Sequence, residues 1–200
     1  MNEVILKGQL KNIQYSHTID NVDYSKASVL CKRANSNKED NINIKFKNFS
    51  NIYKDGDIID IKGNLRSFSQ KLDNDKNKVT LYVFTYFDKA DDEEIVNKIN
   101  IDGRICKINP LRVTKNGKHN IHFIIANNLA YNNDTKRLNS YIPCIAWGTN
   151  AKELEKLSVN TKIEIEGELH SREHKKIYED GNIEFRVAHE LHVTSFKVIG

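Results

Sequence analysis

Apolar and polar residues alternate along short segments in both halves of the chain, as they do in strands that bury one face. The pattern is clearest in residues 4–10 (VILKGQL) and 99–105 (INIDGRI), each of which contains a glycine. A glycine inside a strand marks a bend or the close passage of another backbone. Alternation or short apolar runs also predict strands at residues 57–65, 79–84, 161–169 and 183–187. We therefore expect a mainly β-structure.

The strand pattern occurs twice. Residues 4–10 align with residues 99–105 at an offset of 95, and residues 57–65 (DIIDIKGNL) align with residues 161–169 (TKIEIEGEL) at an offset of 104. The change in offset indicates an insertion or deletion between the aligned segments. A repeat of this length predicts two copies of one domain and excludes a solenoid of short units.

Each copy is predicted to contain one helix. In the second copy, Asn150 is a suitable N-cap for residues 150–157, with Leu154 and Leu157 on one face. In the first copy, residues 48–53 have room for one turn. Five strands with a helix between the third and the fourth is the order of the OB fold, a small Greek-key barrel. The predicted fold is all-β with short helices, in two tandem OB-fold five-stranded β-barrels.

The distribution of charge divides the chain at the same place as the repeat. Residues 88–94 (DKADDEE) carry a net charge of −4, whereas residues 1–87 and residues 95–200 each carry +4, for a total of +4. An acidic segment of low apolar content is typical of a connector. We predict a first domain at 1–87, a connector at 88–97 and a second domain at 98–200. A surface helix within one larger domain is the alternative.

Composition and motifs exclude several classes of protein. No run approaches the ~18–20 apolar residues that span a bilayer, and the N-terminus has no signal-peptide pattern. Cys31, Cys106 and Cys144 are odd in number and far apart, so we expect neither a disulfide framework nor a zinc site, and a reducing cytoplasm fits best. There is no nucleotide-binding loop, His-Glu-x-x-His or serine elbow. We expect no enzyme activity, no metal and no cofactor.

Four segments of the second copy resemble, in order, the strands of the bacterial single-stranded DNA-binding protein (SSB) family. They are residues 101–105 (IDGRI), 123–128 (FIIANN), 141–148 (YIPCIAWG) and 162–169 (KIEIEGEL). The resemblance covers roughly residues 98–198. The first copy is similar only in its two glycine-bearing strands, with Phe46 where Trp147 stands in the second.

The resemblance implies sequence-independent binding and protection of single-stranded DNA in replication, recombination or repair. Two alternatives remain, because OB barrels also act as primosomal or other protein-interaction factors and as binders of single-stranded RNA. Members of the family place four OB domains in one particle, so we expect a homodimer of this two-domain chain. Replication or recombination proteins are possible partners. The chain ends in a strand-like segment, so no acidic recruiting tail is expected.

A binder without sequence preference needs aromatic faces for base stacking and cations for phosphates. The resemblance places the stacking positions of the second copy at Tyr131, Tyr141, Trp147 and His174, with Tyr178 nearby. Tyr141 and Trp147 share one face of a predicted strand, together with Ile145. Core packing is the alternative for Trp147. Phe46 and Phe68 are the candidates in the first copy, which we expect to bind more weakly or by a shifted path.

Phosphate contacts are predicted for basic residues of both copies. In the second copy the candidates are Arg104, Arg112, Lys115, Lys136, Arg137, Arg172, Lys175 and Lys176. In the first copy they are Lys45, Lys47 and Arg66. For any single lysine, a solvated surface charge is the alternative.

Overall fold

The computed structural model describes residues 1–34, 36–47, 53–71, 77–90, 94–130, 137–177 and 181–199. In the first half, these residues form β1 (Asn2–Ile19), β2 (Val22–Lys32), β3 (Glu39–Lys47), β4 (Ile58–Lys71) and β5 (Asn77–Lys89). In the second half they form β6 (Asn97–Ile108), β7 (Arg112–Val113), β8 (His119–Ala130), β9 (Arg137–Trp147), α1 (Gly148–Glu155), β10 (Lys162–Ile177) and β11 (Ile183–Val198).

Each half of the chain closes into a five-stranded barrel with the same strand order. The first barrel runs β1-β2-β3-β5-β4, and β4 pairs with β1 to close it. The second runs β6-β8-β9-β11-β10, and β10 pairs with β6, while the short β7 flanks β8. The pairs β3–β5 and β9–β11 are parallel and the others are antiparallel. This is the OB order, so the predicted fold class is confirmed.

Close passage of neighbouring backbones explains the glycines of the fourth strands. A Cβ atom at Gly63 would lie 2.4 Å from the carbonyl oxygen of Phe84, and one at Gly167 would lie 2.3 Å from that of His192. Both distances are shorter than any that a side chain tolerates. The close passage of another backbone therefore explains both glycines.

An antiparallel pair between β1 and β6 joins the two barrels into one sheet. Around this pair the barrels make equivalent contacts. The side-chain amide of Asn2 donates to the carbonyl oxygen of Leu65 and accepts from its N–H, both at 2.8 Å. Asn97 makes the same two bonds with Leu169, both at 2.9 Å. The offsets of 95 and 104 match those of the sequence repeat, so an approximate two-fold axis relates the barrels.

A second pair of equivalent contacts joins each fourth strand to the third strand of the other barrel. In the first of them, the Tyr141 N–H donates to Ser67 Oγ at 2.8 Å, and the Ser67 N–H donates to Ser140 Oγ at 3.4 Å. β9 of the second barrel is thereby held against β4 of the first. This contact fixes the position of Tyr141 relative to the first barrel.

In the equivalent contact a buried carboxylate replaces the serine. The Asn41 N–H donates to Ser171 Oγ at 2.9 Å, and the Ser171 N–H donates to Asp40 Oδ1 at 2.6 Å. Arg33 binds the same carboxylate through Nε at 2.7 Å and Nη2 at 2.6 Å. Burial alone would raise the pKa of Asp40, but the bonds from Arg33 and Ser171 outweigh it and hold this pKa below its usual range. Asp40 is therefore a charged part of the joint between the barrels.

Two boundaries differ from those predicted. The helix α1 begins directly after Trp147, and Asn150 lies inside it, where its side-chain amide donates to the carbonyl oxygen of Thr194 at 2.9 Å. The prediction that Asn150 caps the helix is therefore wrong. β5 extends to Lys89 and β6 begins at Asn97, so both strands overlap the residues assigned to the connector. The helical turn predicted in the first copy lies mainly outside the described residues.

Candidate nucleic-acid interface

A groove of about 810 Å³ lies on the outer face of the second barrel. The residues of that barrel that line it include Asn120, His122, Ile145, Trp147, Arg172, Val187 and His192. The first barrel also lines it, through Leu30, Arg33, Lys38, Glu39 and Asn41. Because the joint at Asp40 holds β3 against β10, both barrels form this space, which we call the second-barrel groove.

The aromatic residues of β9 have open faces. Trp147 is 40% exposed and lines the second-barrel groove, and Tyr141 is 46% exposed. The side chains between them that point into the barrel are fully or almost fully buried, namely Ile142, Cys144 and Ala146. The outward direction predicted for Tyr141 and Trp147 agrees with this arrangement. An exposed indole at the edge of a groove can stack on a nucleobase.

Ile145 lies on the outward face with Tyr141 and Trp147, as predicted, and lines the second-barrel groove, but it is only 4% exposed. Its cross-strand neighbours, His122 on β8 and His192 on β11, flank it. The ring centres of His192 and His170 lie 4.0 Å apart. Burial, followed by the charge of His170, lowers the pKa of His192 from 6.5 to about 4. At neutral pH His192 is therefore an uncharged ring in the groove.

A pocket of about 440 Å³ occupies the corresponding face of the first barrel. Its lining includes Lys26, Asn43, Lys45, Phe68 and Tyr82, and none of the described residues that line it is acidic. The Lys45 ammonium nitrogen lies 4.6 Å from the centre of the Tyr82 ring, within the range of a cation–π contact. Phe68 is 57% exposed. We call this the first-barrel pocket. It combines cations with aromatic surface, the two groups that a nucleic-acid strand requires.

A comparison with protein families identifies the family of the chain. The model of the single-strand binding protein family matches residues 96–199, just over half of the chain. The chain belongs to this family. Single-stranded DNA binding is thus the function of the protein, which is not an enzyme, and the resemblance read from the four strand segments is confirmed.

Two solved structures of the single-stranded DNA-binding protein from Thermus aquaticus share the fold of this SSB-family chain. The wild-type protein has a TM-score of 0.75 at 15% identity, covering 100% of this chain and 93% of its own. A deletion mutant has a TM-score of 0.76 at 15% identity, covering 100% and 94%. Among curated proteins, no sequence is significantly similar to the chain. In the described ranges, no helix is long and apolar enough to span a membrane.

Phe46 is the predicted stacking residue that the structure contradicts. It is only 7% exposed and packs edge-on against Phe87, with ring centres 4.7 Å apart. The pairs β3–β5 and β9–β11 align the third strands at an offset of 100 residues, with residue 44 equivalent to residue 144. Phe46 is thus equivalent to the buried Ala146, and Lys47 is equivalent to Trp147. The sequence comparison that set Phe46 opposite Trp147 was therefore wrong by one residue. Phe46 lies in the core of this SSB-family barrel.

The predicted cations are more scattered than the aromatic residues. Among the described members of the second-barrel set, Arg172 lines the groove, and its Nη2 lies 3.6 Å from a carboxylate oxygen of Glu190. Arg104 donates to the carbonyl oxygen of Asn160 at 3.0 Å. Three further members are exposed, namely Arg112 on β7, Lys115 in the turn between β7 and β8, and Lys175 near the end of β10. Outside the described residues lie Tyr131, Lys136 and Tyr178, and the side chains of Arg137, His174 and Lys176.

In the first barrel the predicted cations take three different positions. Lys45 lines the first-barrel pocket, and Lys47 is partly buried two residues along the same strand. The guanidinium carbon of Arg66 lies 4.0 Å from the centre of the Phe84 ring. Lys45 therefore faces the pocket, whereas Arg66 stacks on an aromatic ring of its own barrel.

Sequence reasoning missed several groove and pocket residues, including Lys26, Lys38, Asn120 and His122. Lys26 and His122 occupy polar positions between buried neighbours in β2 and β8, so alternation could have assigned them to an outer face. Lys38 lies in the turn between β2 and β3. No local pattern shows that this turn approaches the second barrel, because its position depends on the joint with β10.

Proposed function

We propose that this protein coats single-stranded DNA without sequence preference and protects it during replication, recombination or repair. The observation that carries the proposal is the pair of half-exposed aromatic residues on β9, Trp147 beside the second-barrel groove and Tyr141 at the contact between the barrels. Every base has a π-face, so stacking binds all sequences, at about 1–3 kcal/mol per base. Phe68 and the lysines of the first-barrel pocket extend the interface to the first barrel.

In this proposal the binding modules are residues 1–87 and 98–200. Residues 88–97 connect them, and the negative charge of this segment repels phosphates and keeps DNA on the faces of the barrels. Tyr131, His174 and Tyr178 are further stacking positions, supported by the family resemblance. The cations of the β7–β8 turn and of the end of β10 bind phosphates from the rim. The protein acts in the cytoplasm and requires no cofactor.

A fluorescence titration tests the proposal directly, because Trp147 is the single tryptophan of the chain. Oligo-dT of increasing length should quench its emission, and the signal should saturate at a defined number of nucleotides per chain. Oligo-dA, duplex DNA and RNA of equal length serve as competitors. Strong binding to RNA, or an absence of both quenching and an anisotropy change with labelled oligo-dT, would contradict the proposal.

We also propose that two chains assemble, so that one particle presents four OB barrels. The approximate two-fold axis inside the chain already arranges two barrels as a closed pair, and two-fold assembly is the commonest way to double such a unit. Light scattering in the absence of DNA should give twice the mass of one chain. A particle with the mass of a single chain at micromolar concentration would refute the dimer without affecting DNA binding.

A further inference from the structure

Two lysines of the first barrel lie directly opposite each other. Lys26 on β2 and Lys45 on β3 are partners in the antiparallel register, so both side chains leave the same face of the sheet. Like charges in directly opposed positions destabilise a sheet. Neither ammonium group forms an ion pair with a carboxylate among the residues that the structure describes. The ring of Tyr82 compensates the charge of Lys45 in part, but no carboxylate of the described residues neutralises the pair, as expected where an anionic ligand does so.

The surroundings of the pair match one segment of a nucleic-acid strand. Both lysines line the first-barrel pocket, together with Phe68 and Tyr82. Burial, and then the charge of Lys26, lowers the pKa of Lys45, which agrees with an ammonium group in an enclosed and positive environment. A phosphodiester between the two nitrogens would relieve their repulsion. The exposed ring of Phe68 offers a face to the adjoining base.

The second-barrel groove has a different electrostatic character. Arg33 is bound to Asp40, and Arg172 lies close to Glu190, so these two cations are already paired within the protein. The groove also contains Glu39 among its lining residues. The main group that this groove offers to a nucleobase is the exposed face of Trp147. The two opposed lysines thus line a pocket with no acidic residue in its described lining, whereas Trp147 lines a groove that also contains Glu39, Glu173 and Glu190.

We propose that Lys26 and Lys45 form a phosphodiester-binding site, and that the first barrel supplies much of the salt-dependent part of single-stranded DNA binding while the second supplies stacking on Trp147. This inference rests on the proposed function and assigns phosphate binding mainly to the first barrel and base stacking mainly to the second. It favours a different mode of binding by the first barrel over simply weaker binding. Lys26 is the member of the site that the sequence did not reveal.

The dependence of affinity on salt tests the site. Each phosphate contact on a single strand contributes about 0.7 to the slope of log K against log salt. Because the two lysines hold one phosphodiester, the double variant Lys26→Gln/Lys45→Gln should have a slope smaller by about 0.7. Between ~50 and ~200 mM salt it should lose about 2.6-fold less affinity for oligo-dT than the unmodified protein does. Trp147→Ala should weaken binding at every salt concentration and leave the slope unchanged.

A matched control removes the same charge elsewhere. Lys152→Gln/Lys156→Gln changes two lysines at α1, and its slope should equal that of the unmodified protein. Thermal unfolding separates a binding role from a structural one, because removal of the Lys26–Lys45 repulsion should leave the melting temperature unchanged or raised.

An unchanged slope in the Lys26→Gln/Lys45→Gln variant, or equal loss in the control, would overturn the site while leaving single-stranded DNA binding intact. A lower melting temperature of the site variant would also overturn it, because the pair would then have a structural role. Failure of the unmodified protein to bind oligo-dT at low salt would overturn the proposed function itself.

Discussion

Replacement of Trp147 by alanine should weaken DNA binding and leave a folded protein. The indole is 40% exposed, so its loss removes stacking surface more than core packing. One lost stacking contact corresponds to about 1–3 kcal/mol, or about 5- to 150-fold in Kd. The free energy of unfolding should fall by only about 1–2 kcal/mol, less than half the cost for a buried tryptophan.

Replacement of Phe46 by alanine should have the opposite effect. The ring is 7% exposed and packs against Phe87, which itself contacts Tyr53 at 4.6 Å between ring centres. Truncation of a buried phenylalanine lowers the free energy of unfolding by about 3–5 kcal/mol, since a cavity remains among these rings. The folded fraction keeps both faces of the interface, so its Kd for oligo-dT should change less than that of Trp147→Ala.

Two assays on the same preparations separate these outcomes. Urea unfolding measures stability, and the anisotropy of dye-labelled oligo-dT measures affinity at a temperature where both variants are folded. Each variant is the control of the other. If Phe46→Ala binds as weakly as Trp147→Ala while its unfolding midpoint stays unchanged, then Phe46 contacts DNA and the assignment of its ring to the core is refuted.

Two further predictions concern the joint and the groove. Asp40→Asn keeps the shape of the side chain but removes the charge that Arg33 binds. The free energy of unfolding should therefore fall by about 1–3 kcal/mol, measured as a lower urea midpoint. An unchanged midpoint would contradict the role of the buried carboxylate. His192 has a pKa of about 4 in the folded protein, against an ordinary value of 6.5. Between these two pH values the unfolded chain binds one more proton than the folded protein does. The free energy of unfolding should therefore decline as the pH falls from about 6.5 to about 4. The variant His192→Gln should show a shallower decline in urea unfolding measured across this range, and an identical decline would assign it to other groups.

Much of the architecture follows from short segments of sequence. Alternation of apolar and polar residues identified most of the main strands, and the glycines at 63 and 167 marked places where backbones meet. The two offsets of the repeat also relate the hydrogen bonds that Asn2 makes in the first barrel to those that Asn97 makes in the second. These features are readable because a strand has a period of two and a repeat conserves spacing.

The position of Phe46 required the folded structure. Within β3 its side chain alternates with those of its neighbours, but alternation alone does not say which third-strand residue of the other copy is its equivalent. A shift of one residue moves a side chain from the outer face to the core. The ladders of β3–β5 and β9–β11 settle that register through pairs of residues far apart in the chain. Trp147 thus remains at the surface, whereas Phe46 is buried.

The sequence by itself determined most of the strands, the duplication and the residue types available for DNA, because these depend on local periodicity and spacing. Only the tertiary structure decided which of those residues act together. Lys26 meets Lys45 through strand pairing, and Asp40 meets Ser171 across 131 positions of the chain. Such contacts depend on barrel closure and on the packing of one barrel against the other, which no segment of the sequence encodes alone.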